Sequence, residues 1–320
     1  MVDVRSMDDV GHARRLARWV GLAREATSAE SDRIALVATE MATNLVKHAG
    51  GGHLIVQNLE EATQLSSCDS GPGIEDLPAM LKDGATTAST PGVGLGVIQR
   101  QGDSFSVFTR PNLTVVQSSI GKRANEPQNM ATMHAPKAGE LHCGDAWVVI
   151  DGRGKRTVAL FDGLGHGVSA AAASAIAIDA IVEDPFSPVS ELLQRTHGQL
   201  RENARGAVGA IAQFDGNTIE FAAVGNIDTR ILRGDGRTER LITKPGVLGR
   251  NMPRLMPQRY VLDSHDILLL ASDGLRTSWR VSDYKGLLGK PLSLIASVLH
   301  FDLRSGRDDS SILLAGALAP

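Results

Sequence analysis

The sequence predicts an α+β protein with two domains in tandem, each built from layers of helices and strands. Its length of 320 residues exceeds what one domain usually holds. The pattern also changes along the chain, because two long helical patterns open it, whereas short strand-like runs dominate after residue 136. Residues 123–136 carry no sustained period. We therefore expect domains at 1–122 and 137–320, joined by a linker at 123–136.

Composition narrows the class of protein. A hydrophobic content of 42% and a charged content of 22% are typical of a globular chain. A net charge of -3 and 4% aromatic residues argue against a nucleic-acid-binding protein. The two cysteines form no CxxC pair, and the N-terminus has no apolar signal segment. We expect a cytoplasmic protein without a membrane span, and the oligomeric state stays open.

The helices and strands of the first domain follow from local signals. Ser6 with Asp9 three residues later begins one helix. A second helix begins near Ser28 or Ser31 and ends at the glycines that start at Gly50. Strands are predicted at 53–58, 63–68, 105–109 and 114–120.

Three polar residues share one flank of the second helix. Glu40, Asn44 and Lys47 stand at i, i+4 and i+7, so they lie beside its apolar stripe. An asparagine carbonyl oxygen there can ligate Mg²⁺, and a glutamate one turn earlier can act as a general base. Taken alone, the pattern also fits a solvated helix face.

A carboxylate and two groups of glycines then follow. Asp69 ends the second strand, where it can accept a hydrogen bond from the amine of adenine. The glycines are Gly71 and Gly73, then Gly92, Gly94 and Gly96. The first group lets a base lie against bare backbone, and the second exposes backbone N–H groups to phosphate oxygens. The ordered set predicts a nucleotide site.

Residues from about 30 to 100 resemble the GHKL (Bergerat-type) ATPases. Within them, TEMATNLVKHAGGG and DSGPGIEDLPAMLKDGATT are similar to the small anti-sigma serine kinases of bacterial stress signalling. The resemblance implies an α/β sandwich that binds ATP, with Mg²⁺ on Asn44, adenine on Asp69 and the serine hydroxyl activated by Glu40. Such domains usually close with a Gly-Thr pair, and here RPNLTVV offers Thr114 without the glycine.

Acidic residues mark the strand ends of the second half. A turn at 151–154 pairs two strands so that Asp145 falls opposite Asp162, and such carboxylates repel unless a cation lies between them. Asp273 follows an apolar strand, and the Asp308-Asp309 pair precedes another. All-oxygen sets suit Mg²⁺ or Mn²⁺. Each aspartate alone also fits a cap or a turn.

This second half resembles the PPM-type metal-dependent phosphatases, in particular their SpoIIE-like branch. The matching motifs are CGDAW, FDGLGHG, ASDGL and RDDSSILL. The resemblance implies an αββα sandwich that hydrolyses phosphoserine or phosphothreonine without a phosphoenzyme. It implies two Mg²⁺ or Mn²⁺ ions and a phosphorylated STAS-type anti-sigma antagonist as substrate. The implied metal ligands are Asp145, Asp162, Gly163, Asp273 and Asp308, with Asp309 as the alternative to Asp308.

His166, in GHG, has two interpretations: it protonates the leaving serine oxygen or contacts phosphate, or it only holds the loop that carries Asp162. Three hypotheses remain for the whole chain. It is a bifunctional kinase and phosphatase, a phosphatase whose first domain only binds ATP or a protein, or a non-catalytic partner-switching scaffold. Glu40 favours the first over the second, and the four acidic positions favour both over the third.

Overall fold

A computed structural model describes residues 1–81, 94–122, 129–203 and 205–318. The chain separates into two compact units, Met1–Pro127 and Gln128–Pro320. No helix in these described ranges is both long enough and apolar enough to cross a bilayer.

The first unit is one antiparallel sheet with helices packed on it. Its elements are β1 (Val2–Val4), α1 (Met7–Ala23), α2 (Ser28–Asn44), β2 (Gly52–Asn58), β3 (Ala62–Asp69), α3 (Leu77–Met80), α4 (Gly94–Gln101), β4 (Ser104–Arg110) and β5 (Leu113–Gly121). The strand order is β1-β2-β3-β5-β4. Ile34 and Met41 of α2 are fully buried in one core with Leu54 and Leu65 of the sheet. The expected α/β sandwich is present.

The predicted ends of the first two helices are confirmed. The backbone N–H of Ser6 donates to Asp9 Oδ2 at 2.8 Å, as a capping box requires. Helix α2 runs on into one π-helical turn, Leu45–Ala49, and Gly50 ends it in the left-handed conformation, at φ 72°. Because π turns are frequent at functional sites, this end of α2 is a candidate part of a functional site.

The second unit has two five-stranded sheets and three helices. Its elements are β6 (Met130–Ala135), β7 (Asp145–Gly152), β8 (Lys155–Gly163), α5 (Val168–Val182), α6 (Val189–Asn203), β9 (Ala207–Asp215), β10 (Thr218–Val224), β11 (Asp228–Leu232), β12 (Thr238–Arg240), β13 (Gln258–Val261), β14 (Ile267–Ala271), α7 (Leu292–Leu303) and β15 (Ser310–Gly316). The sheets have the orders β13-β10-β9-β8-β7 and β12-β11-β14-β15-β6.

These elements stack as four layers. One apolar core joins the two sheets, with Leu160 and Phe214 from the first and Leu268 and Leu313 from the second. A second core packs α5 and α6 on the outer face of the first sheet. Helix α7 packs against β6 and β15. The αββα sandwich expected from the sequence is therefore the observed fold.

The linker predicted at 123–136 is wrong over its second part. Residues 130–135 form β6, which pairs with β15 in the register Ala135↔Ser310 and Ala131↔Leu314. Their burial alternates, with Ala131, Met133 and Ala135 buried. The inward residues are small or flexible, so the period of two was too weak to predict a strand. Helix α7 was also missed, because LSLIASVLHFDL is apolar on nearly every side.

One buried histidine makes the second unit sensitive to acid. His300 of α7 is 5% exposed, and its Nε2 lies 3.2 Å from Ser310 Oγ. Burial lowers its pKa from 6.5 to about 4, so the histidine binds a proton less readily in the folded state than in the unfolded chain. This contribution to stability is complete above pH 6.5 and is lost as the pH falls toward 4. It amounts to about 3 kcal/mol.

We predict that His300→Gln reduces the loss of folding stability that the protein shows as the pH falls. Thermal unfolding of the full chain between pH 7 and 4.5 measures this. The wild type should lose more stability than the variant over that window, since only the wild type carries the buried imidazole. The exposed His265, changed to Gln, serves as the matched control. Parallel profiles for wild type and His300→Gln would contradict the assignment.

Candidate functional sites

A pocket of about 780 Å³, including space open to solvent, lies in the first unit. It is formed by the end of α2 and its π turn, the end of β3, the start of α4 and β5. The residues that line it include Asn44, His48, Ala49, Asp69, Gly73, Gly94 and Thr114.

Asp69 and Thr114 face each other at the pocket. They are direct partners in the β3–β5 register. The Gly71 N–H donates to Asp69 Oδ1 at 2.9 Å, and burial raises the pKa of the Asp69 carboxyl. The glycine that usually precedes this threonine is absent, yet the turn before β5 forms with Asn112 at φ 65°. Asparagine tolerates that conformation, so Thr114 reaches the pocket without the glycine.

Three predicted glycines stand where a side chain would collide. A Cβ at Gly71 would lie 2.9 Å from the Cα of Ala49, and one at Gly73 would lie 2.9 Å from the Arg110 carbonyl oxygen. A Cβ at Gly94 would lie 2.8 Å from Asn44 Oδ1. Close packing therefore excludes a side chain at these three positions, and two of them, Gly73 and Gly94, line the pocket.

The other predicted residues of this site are placed as follows. Asn44 is the last residue of α2 and lines the pocket. Glu40 lies one turn earlier and is half-buried. Burial raises its carboxyl pKa against the opposing charge of Lys47. Gly94 and Gly96 lie in the first turn of α4, where Gly96 is buried. Gly92 lies outside the described residues.

His48 also lines this pocket, and no sequence pattern described above singled it out. It belongs to the π turn, and the altered winding there turns side chains away from the positions that a period of 3.6 predicts. Periodicity could not have found it.

In the second unit, the predicted pairing of Asp145 with Asp162 is confirmed. The two residues are direct partners in the β7–β8 register. Asp145 is 7% exposed. Two carboxylates thus face each other across one ladder at the end where both strands meet the loops.

Asp145 is also held by the second sheet. Ser272 Oγ donates to Asp145 Oδ2 at 2.6 Å, and the Ser311 N–H donates to Ser272 Oγ at 2.8 Å. Burial raises the Asp145 pKa to about 7, the charges of Asp309 and Asp273 add to the rise, and the hydrogen bonds oppose it. Sequence reasoning missed these serines, since hydroxyls next to aspartates are common in loops.

The negative charges of all the other acidic residues predicted for this site raise the pKa of Asp162. Its pKa is raised to about 8, first by burial, then by Asp145, Asp273, Asp308 and Asp309. The geometry places these residues together, because Ser272 links Asp145 to the end of β14, and a Cβ on Gly144 would lie 2.7 Å from Asp309 Oδ2. Their carboxyls therefore lie along one rim. They come from both sheets of the sandwich.

The two remaining strand ends complete this rim. Asn226 Nδ2 donates to Asp273 Oδ2 at 2.8 Å, and the pKa of Asp273 is raised by burial and by the charge of Asp308. Asp309 is 3% exposed and accepts from the Lys137 N–H at 2.8 Å. The charge of Asp308 thus raises the pKa of Asp273 and that of Asp309 raises the pKa of Asp145, so both members of the pair act on the site.

The donor set fits divalent cations. Asp145 Oδ1 and Asp309 Oδ2 are buried and have no hydrogen-bond partner in the described structure. Buried acceptors without donors are costly unless a cation satisfies them. Within the described ranges, no group of three or more His, Cys, Asp or Glu side chains is arranged so that it could hold a metal ion. The fit rests on the chemistry of the donors, which are oxygens of the type that Mg²⁺ and Mn²⁺ take.

His166 contacts the loop before β7. Its Nδ1 lies 2.7 Å from Glu140 Oε1. The pair ties the segment that follows Asp162 to the segment that precedes Asp145, as the loop-holding interpretation requires. The proton-donating interpretation stays a prediction.

Family models match both halves of the chain. Residues 5–120 match the histidine kinase-like ATPase domain, and residues 152–288 match stage II sporulation protein E (SpoIIE). The first unit is thus similar to a histidine kinase-like ATPase domain, and the second unit, here named the SpoIIE domain, is similar to SpoIIE. The recognition made from the sequence motifs is confirmed. The SpoIIE match contains Asp162 and Asp273, and Asp145 and Asp308 flank it.

Individual relatives point the same way. The serine/threonine-protein kinase RsbT of Bacillus subtilis (strain 168) is 29% identical over 103 residues, which are 31% of this chain and 77% of RsbT. A solved chain from the bacterial stressosome, a modular system adapted to control secondary messenger signalling, has a TM-score of 0.54 and 28% identity, covering 58% of this chain and 98% of its own. RsbX in complex with magnesium shares the fold, with a TM-score of 0.52, 16% identity and coverages of 83% and 100%.

We predict that Asp162→Asn stabilises the metal-free SpoIIE domain at pH 8.5 and removes its response to Mg²⁺. The amide relieves the repulsion at the rim, and the expected rise in melting temperature in EDTA is about 2–6 °C. The gain should vanish at pH 5, where the raised pKa leaves Asp162 protonated in the wild type. Thermal unfolding with and without Mg²⁺ is the measurement.

The control for this prediction is Asp235→Asn, which removes an exposed carboxylate paired with Arg237. It should leave the Mg²⁺ response unchanged. An undiminished Mg²⁺-dependent rise in Asp162→Asn would contradict the placement of this carboxyl at the cation site.

Proposed function

We propose that this protein is a metal-dependent protein-serine/threonine phosphatase with a fused ATP-binding, kinase-like domain. The observation that carries the proposal is the pairing of Asp145 with Asp162 at the ends of β7 and β8, beside the buried Asp309 Oδ2, which has no hydrogen-bond partner in the described structure. A folded protein retains such mutual repulsion where a bound cation balances it.

Asp145, Asp162, Asp273 and Asp308 would hold two Mg²⁺ or Mn²⁺ ions, together with the Gly163 carbonyl. Bound there, the ions would neutralise the rim, orient a phosphate and lower the pKa of water. The chain's own residues fix the ligands. Ser272 positions the carboxyl of Asp145, and Asn226 positions that of Asp273. Fixed ligands are what a two-ion site needs.

The cysteine near this rim supports direct attack by water. Burial and the neighbouring Asp145 raise the pKa of the Cys143 thiol to about 12. The thiol therefore stays protonated at neutral pH and is a poor nucleophile. A phosphoenzyme through Cys143 is disfavoured, in line with hydrolysis in one step.

The first domain would bind ATP with Mg²⁺. Asp69 would accept from adenine, Asn44 would ligate Mg²⁺, and Gly71, Gly73, Gly92, Gly94 and Gly96 would surround the base and phosphates. A second candidate function, protein-serine kinase activity, is favoured by Glu40. Its half-buried carboxyl with a raised pKa lies one turn from Asn44, as a general base would.

The proposed substrate is a phosphorylated STAS-domain regulator in bacterial partner switching, in the cytoplasm. The likeness to RsbT, which is a serine/threonine-protein kinase, and to a stressosome chain supports this setting. A first domain that only binds ATP or a partner is the alternative, and a non-catalytic scaffold is the third hypothesis. The intact acidic rim favours catalysis over the scaffold.

We predict that Asp273→Asn lowers the rate of phosphoserine hydrolysis on a phosphorylated STAS protein about 100-fold or more, because one cation ligand is lost. Release of inorganic phosphate in the presence of Mn²⁺ measures it. Asp235→Asn again provides an exposed carboxylate as control and should retain wild-type rates. Equal rates for Asp273→Asn and wild type would remove this site from the reaction.

We predict that Glu40→Gln keeps ATP affinity but abolishes phosphate transfer to a STAS serine. Asp69→Asn should lower ATP affinity about 10-fold or more, since a hydrogen bond to a charged group is lost. Fluorescent nucleotide binding and transfer of labelled phosphate measure the two effects, with the exposed Glu60→Gln as control. Binding without transfer by the wild type would leave the first domain a sensing or docking role.

A further inference from the structure

A basic groove lies on the SpoIIE domain, outside the acidic rim. It is lined by Arg240, Thr277, Ser278, Trp279, Arg280 and Asp283, and it encloses about 670 Å³ with the space open to solvent. Both arginines are exposed. Neither of the assigned sites uses any of these residues.

The floor of the groove is held rigidly. Arg230 is 2% exposed and pairs with Asp228 at 2.7 Å. Its guanidinium lies 4.6 Å from the centre of the Trp279 ring and donates to the Thr277 carbonyl oxygen at 2.6 Å. The Trp279 ring also packs edge-on against Tyr284. The segment from 277 to 280 is therefore preorganised, which lowers the entropy lost on binding.

The charges of the groove favour an anion. Arg240 donates one hydrogen bond, to the Thr277 carbonyl oxygen at 3.2 Å, and an arginine has five donors. In the described ranges neither Arg240 nor Arg280 forms an ion pair. Asp283 is partly satisfied, because its Oδ2 accepts from the Arg280 N–H at 2.9 Å. The groove therefore carries two guanidinium groups and one carboxylate. Guanidinium groups bind planar carboxylates through paired hydrogen bonds, so an acidic side chain is a fitting ligand.

The groove lies toward the same end of its sheet as Asp273. Arg240 pairs with Arg230, and Asp228 pairs with Ala271, two residues before Asp273. Two strand spacings and four residues of rise separate Arg240 from Asp273, a distance on the order of 15 Å. An extended peptide covers that distance in about four or five residues.

We propose that this groove binds an acidic segment of the protein substrate, with a glutamate or aspartate about four or five residues from the phosphorylated serine or threonine. The inference rests on the proposed phosphatase function. Arg240 and Arg280 contact the acidic side chain while the phosphorylated residue lies at the rim, so they determine specificity without touching the reacting atoms.

The test is a kinetic comparison of the full chain with Arg240→Glu/Arg280→Glu. The substrates are a phosphoserine peptide with glutamates at the fourth and fifth positions on both sides, the same peptide with glutamines, and p-nitrophenyl phosphate. The variant should raise KM for the glutamate peptide about ten-fold with kcat unchanged. The glutamine peptide and p-nitrophenyl phosphate should show wild-type kinetics.

The matched control is Arg237→Glu, directly before β12, with a side chain 80% exposed. It makes the same substitution at one arginine outside the groove and should leave KM unchanged. Thermal unfolding checks that each variant is folded, and Arg240→Gln/Arg280→Gln repeats the test with a milder change. An equal rise in KM for Arg237→Glu, or for the glutamine peptide, would overturn the proposal.

Binding without turnover separates the groove from the reaction. Fluorescence anisotropy with the unphosphorylated glutamate peptide should show binding that the double variant loses and that the glutamine peptide lacks. Displacement by inorganic phosphate at equal concentration would assign the groove to free anions and overturn the peptide assignment. If no substrate is hydrolysed but this binding persists, the proposed phosphatase function is rejected, whereas the proposed binding of an acidic segment in the groove is retained.

Discussion

Repulsion among clustered carboxyls, of which Asp145 and Asp309 are buried, is the main constraint on the second domain. Five aspartates from strand ends of both sheets act on one another, and the pKa values of Asp145 and Asp162 rise to about 7 and 8. A structure built for stability alone would place apolar residues there. The two serines and Asn226 hold the carboxyl oxygens in place, and both sheets contribute, so the rim exists only when the whole sandwich is assembled.

The first domain meets a different constraint, which is space for a flat ligand against bare backbone. Gly71, Gly73 and Gly94 lie where a single methyl group would touch the chain or Asn44. Affinity in such a pocket comes from shape and from the few polar groups that fix orientation, here Asp69 and Thr114. In the proposed function, the two domains would bind phosphate groups by different means, the second through clustered carboxylates that hold cations and the first through positions without side chains.

The sequence predicted these sites where short-range rules decide the geometry. The turn at 151–154 fixed the register that sets Asp145 opposite Asp162, because a hairpin pairs residues symmetrically about its turn. Prediction from the sequence failed where tertiary packing determines the secondary structure. Strand β6 has weak alternation and forms only by pairing with β15, which lies 175 residues away. Helix α7 lacks a polar face. The roles of Ser272 and Asn226 depend on contacts between distant segments, which no local pattern encodes.

The π turn at Leu45–Ala49 has a consequence for how this family of sequences can vary. It accommodates one more residue than an α-helical turn between Asn44 and Gly50. Deleting one residue there would restore α-helical winding and change the direction in which the side chains of residues 45–49 point. His48 and Ala49 would swing off the wall that they share with Asp69. Length in this short stretch is therefore fixed more strictly than residue type, and substitutions are tolerated where gaps are not.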